Sequence, residues 1–144
     1  MIKNSETNAK IARSFNETND CHVRAMANGL GINYRQAHAY HKKLGRKNRR
    51  GTNWKISKQF QADYGKKAYI VDKYYGDVVS CSVEHCSVPN APKTINQLTK
   101  DERFSKGAYV VYVRGHAAAM VDGKMQDWMR ENRRQRVKLI IKLK

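Results

Sequence analysis

Three side chains in this sequence could together attack a carbonyl: Cys21, His116 and Asp127. Cys21 falls at the expected first turn of a helix. Backbone N–H groups and the helix dipole there favour a thiolate, lowering the thiol below its free pKa of about 8.5. A thiolate so placed is a nucleophile, and the same N–H groups can hold the oxyanion that attack creates. His116 follows Gly115 at a strand start, and Asp127 lies on the return strand of the same hairpin. With Asp122-Gly123 in the turn, Val121 faces Lys124 and Ala118 faces Asp127. Alternate residues share a face, so His116 and Asp127 become diagonal neighbours, about 7–8 Å apart along the backbone and within side-chain reach. A carboxylate there can orient an imidazole, and the imidazole can polarise the cysteine across a helix–sheet junction. Gly115, Ala117, Ala118 and Ala119 keep the surroundings small.

Taken singly, each residue has a plainer account. A helical cysteine is usually a small core residue, and a histidine or aspartate beside a turn usually does nothing. The order is what points to nucleophilic catalysis: Cys on a helix, His on a later strand, Asp on the next. Other clusters carry less. Cys81, His85 and Cys86 form C-x₃-H-C without a second half, so no zinc site is expected. His38 and His41 lie three apart beside Lys42 and Lys43, which reads as a partly exposed helix face. The glycines of RKNRRGT and GLG lack the strand–loop–helix order of a phosphate-cradling loop. No metal and no cofactor is expected.

The elements that must position these groups follow from periodicity. Val23, Met26, Ala27 and Leu30 make one helical stripe, stopped by Gly29 and Gly31. Asn33 can cap a second helix with Tyr34, Ala37, His41 and Leu44 inside and Gly45 ending it. Arg46–Thr52 reads as a basic loop. Trp54, Ile56, Phe60 and Tyr64 make a third, short helix closed by Gly65. Strands are expected over Ala68–Asp72, Val78–Val83, Ala108–Arg114, His116–Val121 and Lys124–Trp128, with a capped turn at Thr94. At the end Val137, Leu139, Ile141 and Leu143 alternate with Lys138, Lys142 and Lys144, which reads as a half-buried strand with a basic outer face. Residues 1–18 read as a loose polar lead-in and 19–144 as one domain. Helices first and strands later predict an α+β domain, with N-terminal helices packed on a C-terminal antiparallel sheet.

NDCHVRAMA (Asn19–Ala27), followed much later by GAYVVYVRGHAAAMVDGKMQD (Gly107–Asp127), resembles the papain-like cysteine hydrolase superfamily. It is similar to compact members such as the C39-like peptidases and related phage proteins. The C-x-x-R-A run at Cys21, Arg24 and Ala25 also resembles the cysteine motif of ovarian-tumour-type deubiquitinases. The resemblance implies a papain-like fold, Cys21 as nucleophile, His116 as general base and acid, and Asp127 as the orienting residue. It covers about a third of the chain, in two short motifs. Papain-like enzymes usually place a Gln six residues before the cysteine to bind the oxyanion. Phe15 stands there, so Asn16 or Asn19 is expected to substitute. Asn16 ranks first, because Asn19 is near enough to the helix start to be capping it.

The chain has 144 residues and a net charge of +17. That length supports one domain with a core of its own. No apolar run is long enough for a membrane span. MIKNSETNAKIARSF lacks the apolar segment of a secretory signal. With three cysteines, that points to a reducing cytoplasm, the host's if the chain is viral. No acidic residue occurs between Asp20 and Asp63. Within that interval Arg46, Arg49 and Arg50 are expected to border the cleft and bind an acidic or phosphate-bearing substrate. A second basic cluster, Arg130, Arg133, Arg134, Arg136 and Lys138, follows Trp128. The expectation is a peptidase or isopeptidase acting on a protein or peptide, with a basic surface for a polyanion. The alternative is an inactive basic protein that binds nucleic acid or an acidic host protein.

Overall fold

The computed structural model describes residues 4–127 and 133–144. Helices come first: α1 (Asn4–Ser14), α2 (Cys21–Leu30), α3 (Tyr34–Lys43) and α4 (Trp54–Tyr64), with a short α5 (Ile95–Thr99) later. Strands β1 (Gly65–Ile70), β2 (Glu84–Cys86), β3 (Ala108–Val113), β4 (His116–Val121), β5 (Lys124–Gln126) and β6 (Val137–Leu143) form one sheet in the order β2-β1-β6-β3-β4-β5. The α+β class holds. The sheet is mixed rather than antiparallel, because β1 and β2 run parallel.

Local signals explain the helix bounds. Asn33 accepts the Gln36 N–H while the Gln36 side chain returns to the Asn33 N–H, a capping box that starts α3. Asn53 and Thr94 cap α4 and α5 in the same way from one side. Gly31, with φ of 69°, ends α2 in the left-handed conformation that glycine tolerates.

Two expectations are corrected by the packing. Residues 4–14 are a helix docked on the domain, not a loose lead-in. Asn8 is fully buried: its side chain donates to Ile32 O (3.0 Å) and accepts the Tyr34 N–H (2.7 Å). Strand β6 keeps Lys138 and Lys142 partly exposed on one face, but Ile140 between them is buried, so that face is not the basic outer one expected. The strand lies between β1 and β3, at the centre of the sheet, and both faces are covered. Ile141 and Leu139 pack with Val23, Met26 and Phe60 under the helices. Ile140 packs on the other side with Leu98, Phe104 and Met120. Lys138 and Lys142 lay their stems along the sheet, and Lys138 reaches Asp72 at 3.1 Å. The strand expected at Val78–Val83 is instead a 3-10 turn ending at Val78 and a loop, with β2 starting at Glu84. The Ser80 hydroxyl takes the Ser82 N–H there, a local bond that competes with a ladder. The return strand ends at Gln126, and Trp128 and Arg130 lie outside the described residues.

The β4–β5 hairpin has the expected register, Val121 opposite Lys124 and Ala119 opposite Gln126. Helix α2 crosses β3, β4 and β5, which sets its N-terminus beside the start of β4. Among the described residues, no helix is long and apolar enough to cross a membrane.

Candidate active site

Helix α2 presents Cys21 on its first turn, half-buried. The residue before it, Asp20, stands at the N-cap position without a side-chain capping bond. Its carboxylate instead takes the Arg24 guanidinium and the Tyr34 hydroxyl (2.7 Å). The first-turn N–H groups are therefore left uncapped, the arrangement that receives an anion.

His116 meets this turn from the start of β4. Its ring shares a wall of one cleft with the Cys21 thiol, and each group shifts the other's pKa. Its Nε2 donates to Asp127 Oδ2 at 3.1 Å, which leaves Nδ1 for the sulfur. Asp127 has a side chain only 3% exposed, and its other oxygen accepts Arg24 Nε at 3.1 Å. Burial pushes the Cys21 thiol up, but the His116 ring, the Ala117 N–H and the His116 and Arg24 charges bring it below its usual value. The bond to Asp127, joined by the pairing with Cys21, raises His116 to about 9 against the opposing effect of burial. Both directions favour a thiolate–imidazolium pair at neutral pH.

The pair opens on a cleft of about 400 Å³. Asn19, Thr52, Trp54, Tyr75 and Tyr112 form much of its wall. The Trp54 ring stands edge-on to Tyr75 and tilted over Tyr112, each at 5.8 Å between centroids. The wall thus mixes three aromatic rings with polar groups and small residues, a composition suited to a ligand pocket. No protein-family profile, curated protein or solved structure matches this chain. The site's own residues carry the functional reading.

Beneath the cleft runs a buried polar chain. His41 Nδ1 donates to Ala37 O at 2.8 Å, because a carbonyl can only accept. His41 Nε2 must then accept from His22 Nδ1 (2.8 Å), and His22 Nε2 accepts the Tyr112 hydroxyl (2.8 Å). Ser57 and Gln61 continue the chain on the far side of Tyr112. Both histidines are neutral. Burial holds His22 well below its usual value, helped by His41, and holds His41 at about 4. The expected partly exposed face at His38 and His41 is therefore corrected: both are buried, His41 completely. The sequence signal was available in Tyr34, Ala37 and His41, whose spacing already put His41 inside.

Of the two oxyanion candidates, Asn19 lines the cleft and Asn16 does not. The ranking reverses because Asp20, not Asn19, occupies the cap position. Asn19 has φ of 55°, and its amide donates to Arg49 O at 3.2 Å, leaving a second N–H. The basic loop divides. Arg46 is buried, and its guanidinium grips Glu17 at 2.9 and 3.2 Å, so it is not available to a substrate. Arg49 and Arg50 are exposed. Arg50 and Lys47 line a second recess of about 420 Å³ that shares Gly51 with the cleft. Glu17 also accepts the Arg49 N–H (2.6 Å) and pairs with His38. Burial pushes this carboxyl up, but those donors hold it at about 2. Among the described residues, no group of three His, Cys, Asp or Glu could hold a metal ion. Cys81 is exposed in a turn and His85 bonds Ser80 O. Arg24 and Glu17 went unassigned in the sequence. Only their tertiary partners give them a place.

Proposed function

We propose that this chain is a papain-like cysteine hydrolase, a peptidase or isopeptidase that works through an acyl-enzyme. One observation carries the reading: His116, hydrogen-bonded to Asp127, stands with the Cys21 thiol at the wall of one cleft. The Cys21 thiolate adds to the carbonyl carbon of a bound amide, forming the C–S bond. The oxyanion is held by the uncapped N–H groups of α2 and by the Asn19 amide. His116 donates its proton to the leaving nitrogen as the C–N bond breaks. Water then attacks the thioester with its proton passing to His116, and the acid leaves as the thiolate re-forms. Asp127 holds the ring in place and stabilises its charged form.

A polyanionic partner is part of the proposal. Arg49, Arg50 and Lys47 are exposed beside the cleft, in a stretch with no carboxylate of its own. The cytoplasm is the proposed setting. The deciding test is site-resolved alkylation. Fast labelling of Cys21 at pH 6–7, with Cys81 and Cys86 slow, and its loss in His116→Ala support the hydrolase. Equal labelling of all three thiols overturns it. Nucleic-acid binding unchanged in Cys21→Ala, together with an unreactive Cys21, establishes the basic binding protein instead.

A further inference from the structure

Helix α2 does more than hold the nucleophile. Cys21, Arg24 and Asn28 are spaced three and four residues apart, so they share one stripe of that helix. Each of them reaches the β4–β5 hairpin. Cys21 faces His116 across the cleft, Arg24 Nε bonds Asp127 Oδ1 at 3.1 Å, and Asn28 Nδ2 bonds Gln126 O at 2.8 Å. Asp127 needs such support, because β5 is a three-residue strand at the edge of the sheet. Arg24 is itself fixed. It is 7% exposed, and another of its nitrogens bonds Asp20 one turn back on the same helix. Asp20 is held in turn by the Tyr34 hydroxyl.

Resting on the hydrolase reading above, we infer that Arg24 is a positioning residue for the triad: it clamps the Asp127 carboxylate to the helix that carries Cys21. With Oδ2 on His116 and Oδ1 on Arg24, the carboxylate is held at both oxygens. Two bonds and the Cys21–His116 pairing complete a ring, Cys21 to His116 to Asp127 to Arg24 and back along three residues of helix. One rigid element thereby sets both ends of the series. An ion pair serving stability alone would be complete with Asp20, which lies four residues away on the same helix. The guanidinium instead spans two carboxylates, and the second one orients the imidazole. Among the described residues, the charged and titratable groups facing this clamp include Cys21 and Arg24 from α2, Asp20 at its foot, Tyr34 from α3, His116 from β4 and Asp127 after β5.

The test is the pH profile of Cys21 alkylation in the full chain, read by mass spectrometry without any substrate. Wild type is expected to keep a reactive thiol well below pH 8. Arg24→Lys keeps the positive charge that itself lowers the Cys21 thiol but gives up the Nε bond to Asp127, so the imidazolium is less well held. Arg24→Met removes the charge as well and moves the limb by both routes. The acid limb of the profile should move up by about one pH unit, and the rate at pH 6 should fall about tenfold. Tyr34→Phe loosens only the Asp20 end and should leave the limb in place. Arg24→Lys is therefore the deciding variant, whether or not Arg24→Met folds. A limb at the wild-type position in Arg24→Lys overturns the clamp and leaves the hydrolase reading standing. A wild-type profile like that of a free thiol overturns both.

Discussion

The His41–His22–Tyr112 chain makes stability depend on pH in a way that can be worked through. Above pH 6.5 both histidines are neutral in folded and unfolded chains alike. As the pH falls below 6.5 the unfolded chain takes up protons, while the folded chain holds His41 neutral to about 4 and His22 lower still. The unfolded state then binds more protons, so stability falls with pH. A tenfold change in an equilibrium is about 1.4 kcal/mol, so His41 alone removes about 3 kcal/mol by pH 4. Glu17 and His116 leave the window between pH 5 and 6.5 clear, and the lowered Cys21 thiol contributes alike to wild type and to a His41 variant, so it cancels in their difference. Glu17, at about 2 when folded, weakens the fold only below about pH 4.5. His116 has a raised value, so its contribution is complete below 6.5 and is lost only as pH rises through about 9. In that window each histidine contributes a slope of about 1 kcal/mol per pH unit. His41→Gln removes one proton site and keeps an amide that can bond His22. Urea unfolding from pH 5 to 6.5 should give a slope about 1 kcal/mol per pH unit shallower in the variant. An unchanged slope would mean that His41 titrates alike in both states, and the directional chain would be wrong.

Four further outcomes are expected. Arg46→Met leaves the Glu17 carboxylate, 1% exposed at its side chain, without its main partner, and should cost about 3–5 kcal/mol in urea unfolding. Gly65→Ala should cost about 1–3 kcal/mol, because the new Cβ would lie 2.6 Å from the Gln61 carbonyl oxygen, which belongs to backbone and cannot turn aside. Asn19→Gly keeps the left-handed backbone and removes only the amide; kcat should fall about tenfold or more with KM little changed, whereas Asn16→Gly should leave both alone. Replacing Arg49 and Arg50 together by Ala should make retention on immobilised DNA less steeply salt-dependent, the slope falling by about one unit for each phosphate no longer neutralised.

The parts of this fold that were legible in the sequence are those decided locally. Asn33, Asn53 and Thr94 announce helix starts through their own side chains, and Asp122-Gly123 sets the hairpin register that brings His116 to Asp127. What was illegible depends on partners far along the chain. The polar run at 4–14 reads as loose until Asn8 finds Ile32 and Tyr34. VKLIIKL reads as a half-buried strand with a basic outer face, and only its place between β1 and β3 puts Ile140 into a second core. Gly65 reads as the residue that closes a helix, and what requires glycine there, at φ of −83°, is the close Gln61 carbonyl.

The charge pattern gains a sharper meaning from the same distinction. An acid-free stretch from Asp20 to Asp63 looked like one basic face. It contains two populations separated by a single carboxylate that precedes it. Glu17 draws Arg46 and the Arg49 backbone inward, which fixes the loop's path. With the loop so anchored, the Arg50 and Lys47 side chains line the second recess and Gly51 joins that recess to the cleft. Arg49 O in turn takes the Asn19 amide, the proposed oxyanion donor. The loop that would receive a polyanion is thus bonded to the group that would hold the oxyanion. Substitutions that free the loop from Glu17 should therefore disturb turnover as well as binding. Glu17→Gln is the direct probe: alongside weaker folding it should lower kcat, while the pH limb of Cys21 labelling, set at the other side of the helix start by His116 and Asp127, stays where it is.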